Sequence, residues 1–125
     1  MFCTLGSIFL LFGGLSGSLG VALGAFGAHG LKARLRPDRL ETFETGVRYH
    51  IIHALALLAT GILAALFPTS PFPAVAGWLF IAGTLLFSGS LYLIVFTDKR
   101  WFGAITPLGG LAFIAGWVCL GLTAL

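Results

Sequence analysis

Charged side chains are scarce in this sequence: its 125 residues include seven Lys or Arg and four Asp or Glu, which is 9% of the chain. Hydrophobic residues make up 58%, and the mean hydropathy is +1.06. This balance lies outside the range of soluble globular domains. Almost nothing remains for a soluble domain, so any function must reside within a membrane bundle or on its charged rim.

Motifs of common enzymatic chemistry are also missing. The sequence has no Gly-Lys-Ser/Thr phosphate loop, no apparent Ser-His-Asp arrangement, and no cysteine pair with redox or zinc spacing. It contains no nucleic-acid-binding module, so its net charge of +3 indicates membrane topology and attraction to anionic lipid. We therefore expect a non-enzymatic protein that binds the lipid bilayer, with no cofactor and no nucleic acid.

Four long apolar runs are present, at about 5–28, 47–67, 74–96 and 107–125. Each has the length of the ~20-residue helix that crosses ~30 Å of hydrocarbon. No Asp, Glu, Lys or Arg lies in the centre of any run, which disfavours an ion-coupled exporter. The sequence predicts an all-α integral membrane protein, one domain over 1–125 with four transmembrane helices in a compact bundle.

A cleaved signal peptide is the alternative for the first run, because Gly27 and Ala28 resemble a small-residue cleavage site. However, no basic residue precedes the run, and it is longer than a signal core. Its glycine repeat would also have no purpose in a discarded segment. We therefore interpret the run as a membrane helix.

Glycines recur every seven residues in the first run, and a second row lies beside the first. On an α-helix both rows share one side, which lets a neighbouring helix approach closely. The third run has similar small-residue spacing, so we expect the third and fourth helices to pack on the first, or copies to form a homo-oligomer. The predicted packing residues are Gly6, Gly13, Gly17, Gly20, Gly24, Gly27, Gly83 and Gly89.

Basic residues lie only in or beside the first and third connections. The positive-inside rule makes these connections cytoplasmic, which predicts that both termini and the loop 67–73 lie outside a bacterial inner membrane. Cys3 and Cys119 then both fall toward the outer side, where a disulfide is conceivable, although simple packing is the better interpretation. The predicted contacts to anionic headgroups are Lys32, Arg34, Arg36, Arg39, Lys99 and Arg100.

The second helix is predicted to begin before its apolar run. Pro37 and Asp38 are typical of a helix start, and Asp38 with Glu41 has the spacing of a capping box. An amphipathic cytoplasmic extension of about ten residues then leads into the membrane. Glu44 and Arg48, four residues apart, favour a local ion pair on this extension.

Four segments resemble a known family: GAFGAHGL at 24–31, LETFETGVRYHIIHALALL at 40–58, GTLLFSGSLY at 83–92 and ITPLGGLAFIAGW at 105–117. With them the chain resembles the small four-span membrane proteins grouped as domain of unknown function 423, which include the animal transmembrane protein 256. The resemblance covers nearly the whole chain and implies a four-helix integral membrane protein. It implies no activity and assigns no catalytic or ligand-binding residue.

Polar residues gather near the predicted cytoplasmic mouth of the bundle. His29 ends the first helix, while His50 and His53 share a face near the start of the second. Two imidazoles at this spacing are able to face a metal ion or a proton path, although histidines at a membrane boundary more often bond to helix ends. The predicted polar cluster is His29, Glu41, Glu44, Arg48, Tyr49, His50 and His53.

Three functions remain open at this point. The first is a structural or interaction protein whose charged cytoplasmic cap contacts anionic headgroups or a protein partner. The second is a small channel or facilitator for a small solute, gated at His50 and His53. The third is a membrane subunit that binds metal or haem through His29, His50 and His53.

Overall fold

Four helical spans make up the protein, whose computed structural model describes residues 4–125. The spans are Leu5–Leu31, Pro37–Leu66, Phe72–Thr97 and Arg100–Leu122, and each is long and apolar enough to cross a membrane. No strand is present among the described residues. The prediction of an all-α membrane protein with four spans is therefore confirmed.

Two of the spans contain a π-helical turn, at Gly27–Leu31 in the first and at Thr84–Ser88 in the third. Such turns are rare and are frequent at functional sites. The fourth span opens with a 3₁₀ turn, Arg100–Ala104. The α-helical segments are Thr4–Phe26, Pro37–Leu66, Phe72–Gly83, Gly89–Thr97 and Thr106–Leu122.

The second span is one uninterrupted α-helix from Pro37 to Leu66, so the predicted extension into this span is confirmed. The predicted capping box is wrong. Pro37 occupies the first helical position, where its missing N–H costs nothing, and Arg36 is the cap residue. Asp38 therefore lies inside the first turn, and no side chain caps the helix.

The glycine rows of the first span pack against the second span. An ideal Cβ at Gly20 would lie 2.8 Å from Ile51, and one at Gly27 would lie 2.8 Å from the Phe43 ring. The two helices are equally close at the other end of the first span, where an ideal Cβ at Gly61 of the second span would lie 2.8 Å from the Gly6 carbonyl oxygen. The expectation that the third and fourth helices fill these rows is wrong, because branched and aromatic side chains of the second span already fill them. The first-span glycines with a second-span neighbour in van der Waals range are Gly6, Gly13, Gly17, Gly20, Gly24 and Gly27.

Glycine and phenylalanine alternate as partners between the third and fourth spans. Phe113 lies over Gly83, and Phe80 lies over Gly116, where an ideal Cβ would be 2.6 Å from its ring. Gly89 was predicted to pack against a neighbouring helix, but the structure shows no such contact at the position of its missing side chain. Its ideal Cβ would have only the Thr84 carbonyl oxygen nearby, at 4.0 Å, so no other helix contacts it there.

The exposed side of the second span changes in character along its length. Ile52, Leu55 and Ile62 are exposed along one stripe, which is continued toward the helix start by exposed Arg48 and Glu44. Exposed apolar side chains require hydrocarbon around them, whereas the charged ones require headgroups or water. The exposed side chains of this stripe therefore change from charged to apolar between Arg48 and Ile52. Cys3 is outside the described residues, so the preferred interpretation, packing without a disulfide to Cys119, is not tested.

Substitution of Gly109 by alanine tests the close packing of the third and fourth spans. An ideal Cβ at Gly109 would lie 2.8 Å from the Phe87 Cα, so backbone would have to move. We expect Gly109→Ala to lower the free energy of unfolding by about 1–3 kcal/mol, as overpacking does. Thermal unfolding in detergent micelles, followed by circular dichroism, measures the change.

Gly121→Ala is the matched control, because no atom lies within 4 Å of its ideal Cβ. It should unfold at or slightly above the wild-type temperature. Equal unfolding temperatures for the two variants would contradict the packing described here.

Candidate functional site

An ion pair joins the start of the second span to the end of the third. It lies at the charged end of the bundle, which comprises residues 32–48 and 98–100. Nε and Nη2 of Arg39 donate to Oδ1 of Asp98 at 3.1 Å and 2.8 Å. Asp98 ends the third span with a left-handed backbone, φ 58°, which Asp tolerates better than most residues. The hydrogen bonds from Arg39, together with its charge, hold the pKa of the Asp98 carboxyl below its usual range.

Apart from Arg36, the other basic residues at the charged end have no carboxylate partner in residues 4–125. Arg36 contacts Asp38 at 3.3 Å and Asp98 at 3.8 Å, so it belongs to the network around Arg39. Glu44 and Arg48 form no ion pair, contrary to the prediction; both are exposed and line a cavity of about 230 Å³ beside Gly24 and Gly27. Among residues 4–125, the exposed cations outside any ion pair are Lys32, Arg34, Arg48, Lys99 and Arg100.

His53 is buried and both of its ring nitrogens are engaged. The Trp117 indole N–H donates to Nε2 at 3.0 Å, so Nε2 must carry a lone pair. Nδ1 therefore carries the proton and donates it to the Tyr49 carbonyl oxygen at 2.7 Å. The ring also stacks on Phe113, with centroids 3.5 Å apart. These contacts fix a neutral imidazole in one tautomer and one orientation.

His50 is buried on a different side of the second span. Its Nδ1 lies 2.9 Å from the Tyr92 hydroxyl, and the Ser16 backbone approaches the same ring. This histidine therefore ties the second span to the third and the first, whereas His53 ties the second span to the fourth. Through the same contact, Tyr92 forms a hydrogen bond inside the bundle.

The predicted polar cluster is split by these contacts. His29, Glu41, Glu44 and Arg48 are exposed, whereas His50 and His53 are buried and face different neighbours. Tyr49 lies between them at the surface, in ring contact with Phe87 at 4.6 Å. Within residues 4–125 no three His, Cys, Asp or Glu side chains are close enough to hold a metal ion. The metal or haem hypothesis is not supported, because His53 has no free nitrogen to offer.

A cleft of about 440 Å³ lies between the first and third spans. Leu15 and Leu19 form one wall, Leu85 and Gly89 form the other, and His50 and Leu57 of the second span form the floor. Leu15 is 60% exposed and Leu85 is 70% exposed, so the cleft opens sideways, toward the surroundings of the bundle. Its size is that of a small-molecule site.

Sequence reasoning missed this cleft and the bond between Trp117 and His53. The π-helical turn Thr84–Ser88 forms part of the cleft wall, and its hydroxyls are both bonded to backbone. Hydropathy gave no signal for the cleft, because its lining residues resemble the rest of the spans. Gly89 was predicted to pack against another helix, and nothing in the sequence distinguishes it from the glycines that do so.

Substitution of Trp117 tests the orientation of His53. Trp117→Phe keeps an aromatic ring but removes the N–H that satisfies the buried Nε2. We expect the free energy of unfolding to fall by about 1–3 kcal/mol, the cost of leaving a buried acceptor unpaired. The matched control is Trp78→Phe, since Trp78 contacts Phe9 through its ring alone. Equal losses in thermal unfolding would mean that the indole N–H contributes nothing.

Acid unfolding tests the ion pair between Arg39 and Asp98. The lowered pKa of Asp98 in the folded protein means that its stabilisation is complete above about pH 4, the usual Asp value. That stabilisation is lost as the pH falls through the lowered pKa. We expect Asp98→Asn to flatten the decline in unfolding temperature below about pH 4. Glu41→Gln, which removes a carboxylate outside any ion pair, is the control and should keep the wild-type decline.

Comparison with known proteins agrees with a membrane protein. Residues 23–110 match the family described as "Protein of unknown function (DUF423)". The chain is 44% identical to UPF0382 membrane protein YwdK of Bacillus subtilis (strain 168), covering 94% of this chain and 95% of the relative. It is 43% identical to UPF0382 membrane protein SH2409 of Staphylococcus haemolyticus (strain JCSC1435), covering 90% and 91%. No solved structure matches. The resemblance found in the sequence is therefore confirmed, and the chain belongs to the DUF423 family of membrane proteins of unknown function.

Proposed function

We propose that this protein is a non-enzymatic component of a bacterial inner membrane whose charged end binds the headgroups of anionic phospholipids. The observation that supports this proposal is the set of exposed basic side chains without an ion pair. They lie in two places at this end: Lys32 and Arg34 follow the first span, Lys99 follows the third, and Arg100 begins the fourth.

Charge at this end remains positive after the internal ion pairs are counted. Asp38 and Asp98 are engaged by Arg36 and Arg39, and all four side chains lie in one network. The net charge of +3 is therefore carried by the charged side chains outside this network. Each such cation near an anionic surface contributes about 1 kcal/mol to the free energy of binding to that surface. The attraction declines within a Debye length of the surface.

The orientation follows from the same charges. Because positively charged connections remain in the cytoplasm, we place the charged end there and both termini outside. The connection at the opposite end, residues 67–71, carries no ionisable side chain, which agrees with this orientation. The exposed stripe of the second span supports it further, since Arg48 is then at the level of the headgroups.

A non-enzymatic role is supported by the state of the buried polar groups. His53 has both nitrogens engaged, and His50 in the cleft floor is bonded to Tyr92, so within residues 4–125 neither histidine is paired with a carboxylate as in an acid–base or nucleophile site. The same contacts favour a packing role for these histidines over the gate of a channel. The relatives are named only as membrane proteins, without an activity. The predicted homo-oligomer remains a proposal, and it would need a surface other than the glycine rows, which the second span fills.

Lipid retention tests the proposal. We expect a variant with Lys32→Gln, Arg34→Gln, Lys99→Gln and Arg100→Gln to retain at least about tenfold less phosphatidylglycerol than wild type, given ~1 kcal/mol for each cation. Native mass spectrometry after incubation with phosphatidylglycerol or phosphatidylcholine measures the retained lipid. The wild-type preference for phosphatidylglycerol should decline as salt is added.

The matched control changes charge in the opposite direction. Glu41→Gln with Glu44→Gln removes two exposed carboxylates outside any ion pair at the same end and should raise phosphatidylglycerol retention. Equal retention of both lipids by the wild type, or no loss in the fourfold variant, would overturn the proposal.

A further inference from the structure

Two opposite charges line one cavity at the charged end without pairing with each other. The cavity, of about 230 Å³, lies between the first and second spans, and its charged lining residues are Glu44 and Arg48. These residues are four apart on a helix with the acidic one first, which is the favoured spacing for an ion pair. Both are exposed, yet neither belongs to an ion pair in residues 4–125. The cavity therefore offers one negative and one positive group to an occupant.

The rest of the cavity wall carries no charge. Gly24 and Gly27 of the first span contribute backbone, and Phe43 and Val47 of the second contribute apolar side chains. An ideal Cβ at Gly24 would lie 3.3 Å from Val47, and one at Gly27 would lie 2.8 Å from the Phe43 ring, so these residues pack closely. The two charged side chains are thus the groups that select an occupant, and the complementary occupant is a zwitterion.

The position of Arg48 along the second span places its guanidinium at the level of lipid headgroups. No Asp, Glu, Lys or Arg occurs in residues 49–66, and the span ends at Leu66. From Arg48 to Leu66 a helix rises about 27 Å, close to the ~30 Å of the hydrocarbon core of a bilayer. Exposed apolar side chains begin at Ile52, and the long arginine side chain extends its charge away from hydrocarbon toward the headgroups.

The order of groups along the exposed stripe matches the order of groups in phosphatidylethanolamine. Toward the start of the second span, the stripe changes from apolar at Ile52 to cationic at Arg48 and then to anionic at Glu44. In phosphatidylethanolamine the acyl chains are followed by the anionic phosphate and then, through two carbon atoms, by a primary ammonium group. Glu44 and Arg48 are about 6 Å apart along the helix axis, so each of the two charged groups of the lipid meets one residue.

The ammonium group distinguishes this lipid from others. An ionised carboxylate such as that of Glu44 only accepts hydrogen bonds, and a primary ammonium offers three N–H donors. The quaternary ammonium of phosphatidylcholine has no N–H, and phosphatidylglycerol has no cation to place beside Glu44. A soluble zwitterion would match the two charges but has no acyl chain to cover Ile52 and the apolar stripe beyond it.

We propose that the cavity between the first and second spans binds the headgroup of phosphatidylethanolamine, with its phosphate on Arg48 and its primary ammonium on Glu44. Both contacts are charge-assisted hydrogen bonds, and a guanidinium is able to donate two of them to one phosphate. The cavity is smaller than the ~300–1,000 Å³ of drug-sized sites, which suits a headgroup. This site goes beyond the proposed function, because it uses other residues and takes a zwitterionic lipid.

Lipid competition tests the site. The purified protein is incubated in detergent with an equimolar mixture of phosphatidylethanolamine and phosphatidylcholine that carry identical acyl chains. Native mass spectrometry then measures the ratio of the two retained lipids, and the wild type should retain more phosphatidylethanolamine. We expect Glu44→Gln to lower this ratio about fivefold, which corresponds to ~1 kcal/mol. Arg48→Gln should lower the retention of both lipids, because both carry a phosphate.

Two further variants separate the site from the net charge of the protein. Glu41→Gln removes an exposed carboxylate that does not line the cavity, so it should keep the wild-type ratio. Exchange of the two charges, Glu44→Arg with Arg48→Glu, preserves the net charge but reverses the order, so it should lose the preference. All of these side chains are exposed and outside any ion pair in residues 4–125, and the circular dichroism spectrum should stay that of the wild type. If the exchange variant unfolds, Glu44→Gln against Glu41→Gln decides.

The outcomes separate this inference from the proposed function. A preference for phosphatidylethanolamine that Glu44→Gln loses and Glu41→Gln keeps supports the site. Equal retention of the two zwitterionic lipids by the wild type, with its selectivity for phosphatidylglycerol intact, overturns the site and leaves the proposed function standing. A preference that survives in Glu44→Gln overturns it as well. Soluble phosphoethanolamine, if retained as strongly as the lipid, would overturn a lipid as the occupant.

The fourfold variant of Lys32, Arg34, Lys99 and Arg100 provides the reverse comparison, because none of these residues lines the cavity. It should retain less phosphatidylglycerol and keep the wild-type ratio of phosphatidylethanolamine to phosphatidylcholine. Loss of that ratio in the fourfold variant would overturn a separate site at Glu44 and Arg48.

Discussion

The close approach of helices at glycine is the interaction on which this bundle depends. Lipid surrounds the spans, so burial of apolar surface gives little preference for one helix neighbour over another. That preference must come from van der Waals contact between closely packed helix surfaces. Here aromatic rings lie directly over glycine: Phe43 over Gly27, Phe9 over Gly77, and Phe113 over Gly83. Each pair brings two backbones together and at the same time fixes their relative position along the membrane normal.

Cavities in such a bundle form where a glycine has no ring above it. Gly89 is one of these positions, and it lies in the wall of the cleft between the first and third spans. The same two spans meet farther from the charged end, where Phe9 enters the space at Gly77. No aromatic ring fills the corresponding space at Gly89, so the two spans leave a cleft at that level. The cleft is thus a consequence of unequal glycine packing along one pair of helices.

Hydropathy and charge predicted the four spans and the single charged end, because both are properties of a segment as a whole. The identity of each helix neighbour depended on shape instead. The glycine rows of the first span indicated a surface for close packing, but nothing in their spacing showed that Ile51 and Phe43 would fill it. In the same way, His50 and His53 share a helix face in the sequence, yet one meets Tyr92 and the other Trp117. Contacts between distant segments decided both cases.

The π-helical turn Thr84–Ser88 sets the rotational phase of the third span. A π turn accommodates one residue more than an α-helix of the same rise, so the segment after it is rotated by about 100° relative to an uninterrupted helix. Before the turn, Gly83 faces the fourth span; after it, Tyr92 faces the second. Deletion of a single residue here would therefore rotate the side chains of the segment 89–97 away from their present neighbours. The turn thus decides which side chains of this segment meet the second span, Tyr92 among them.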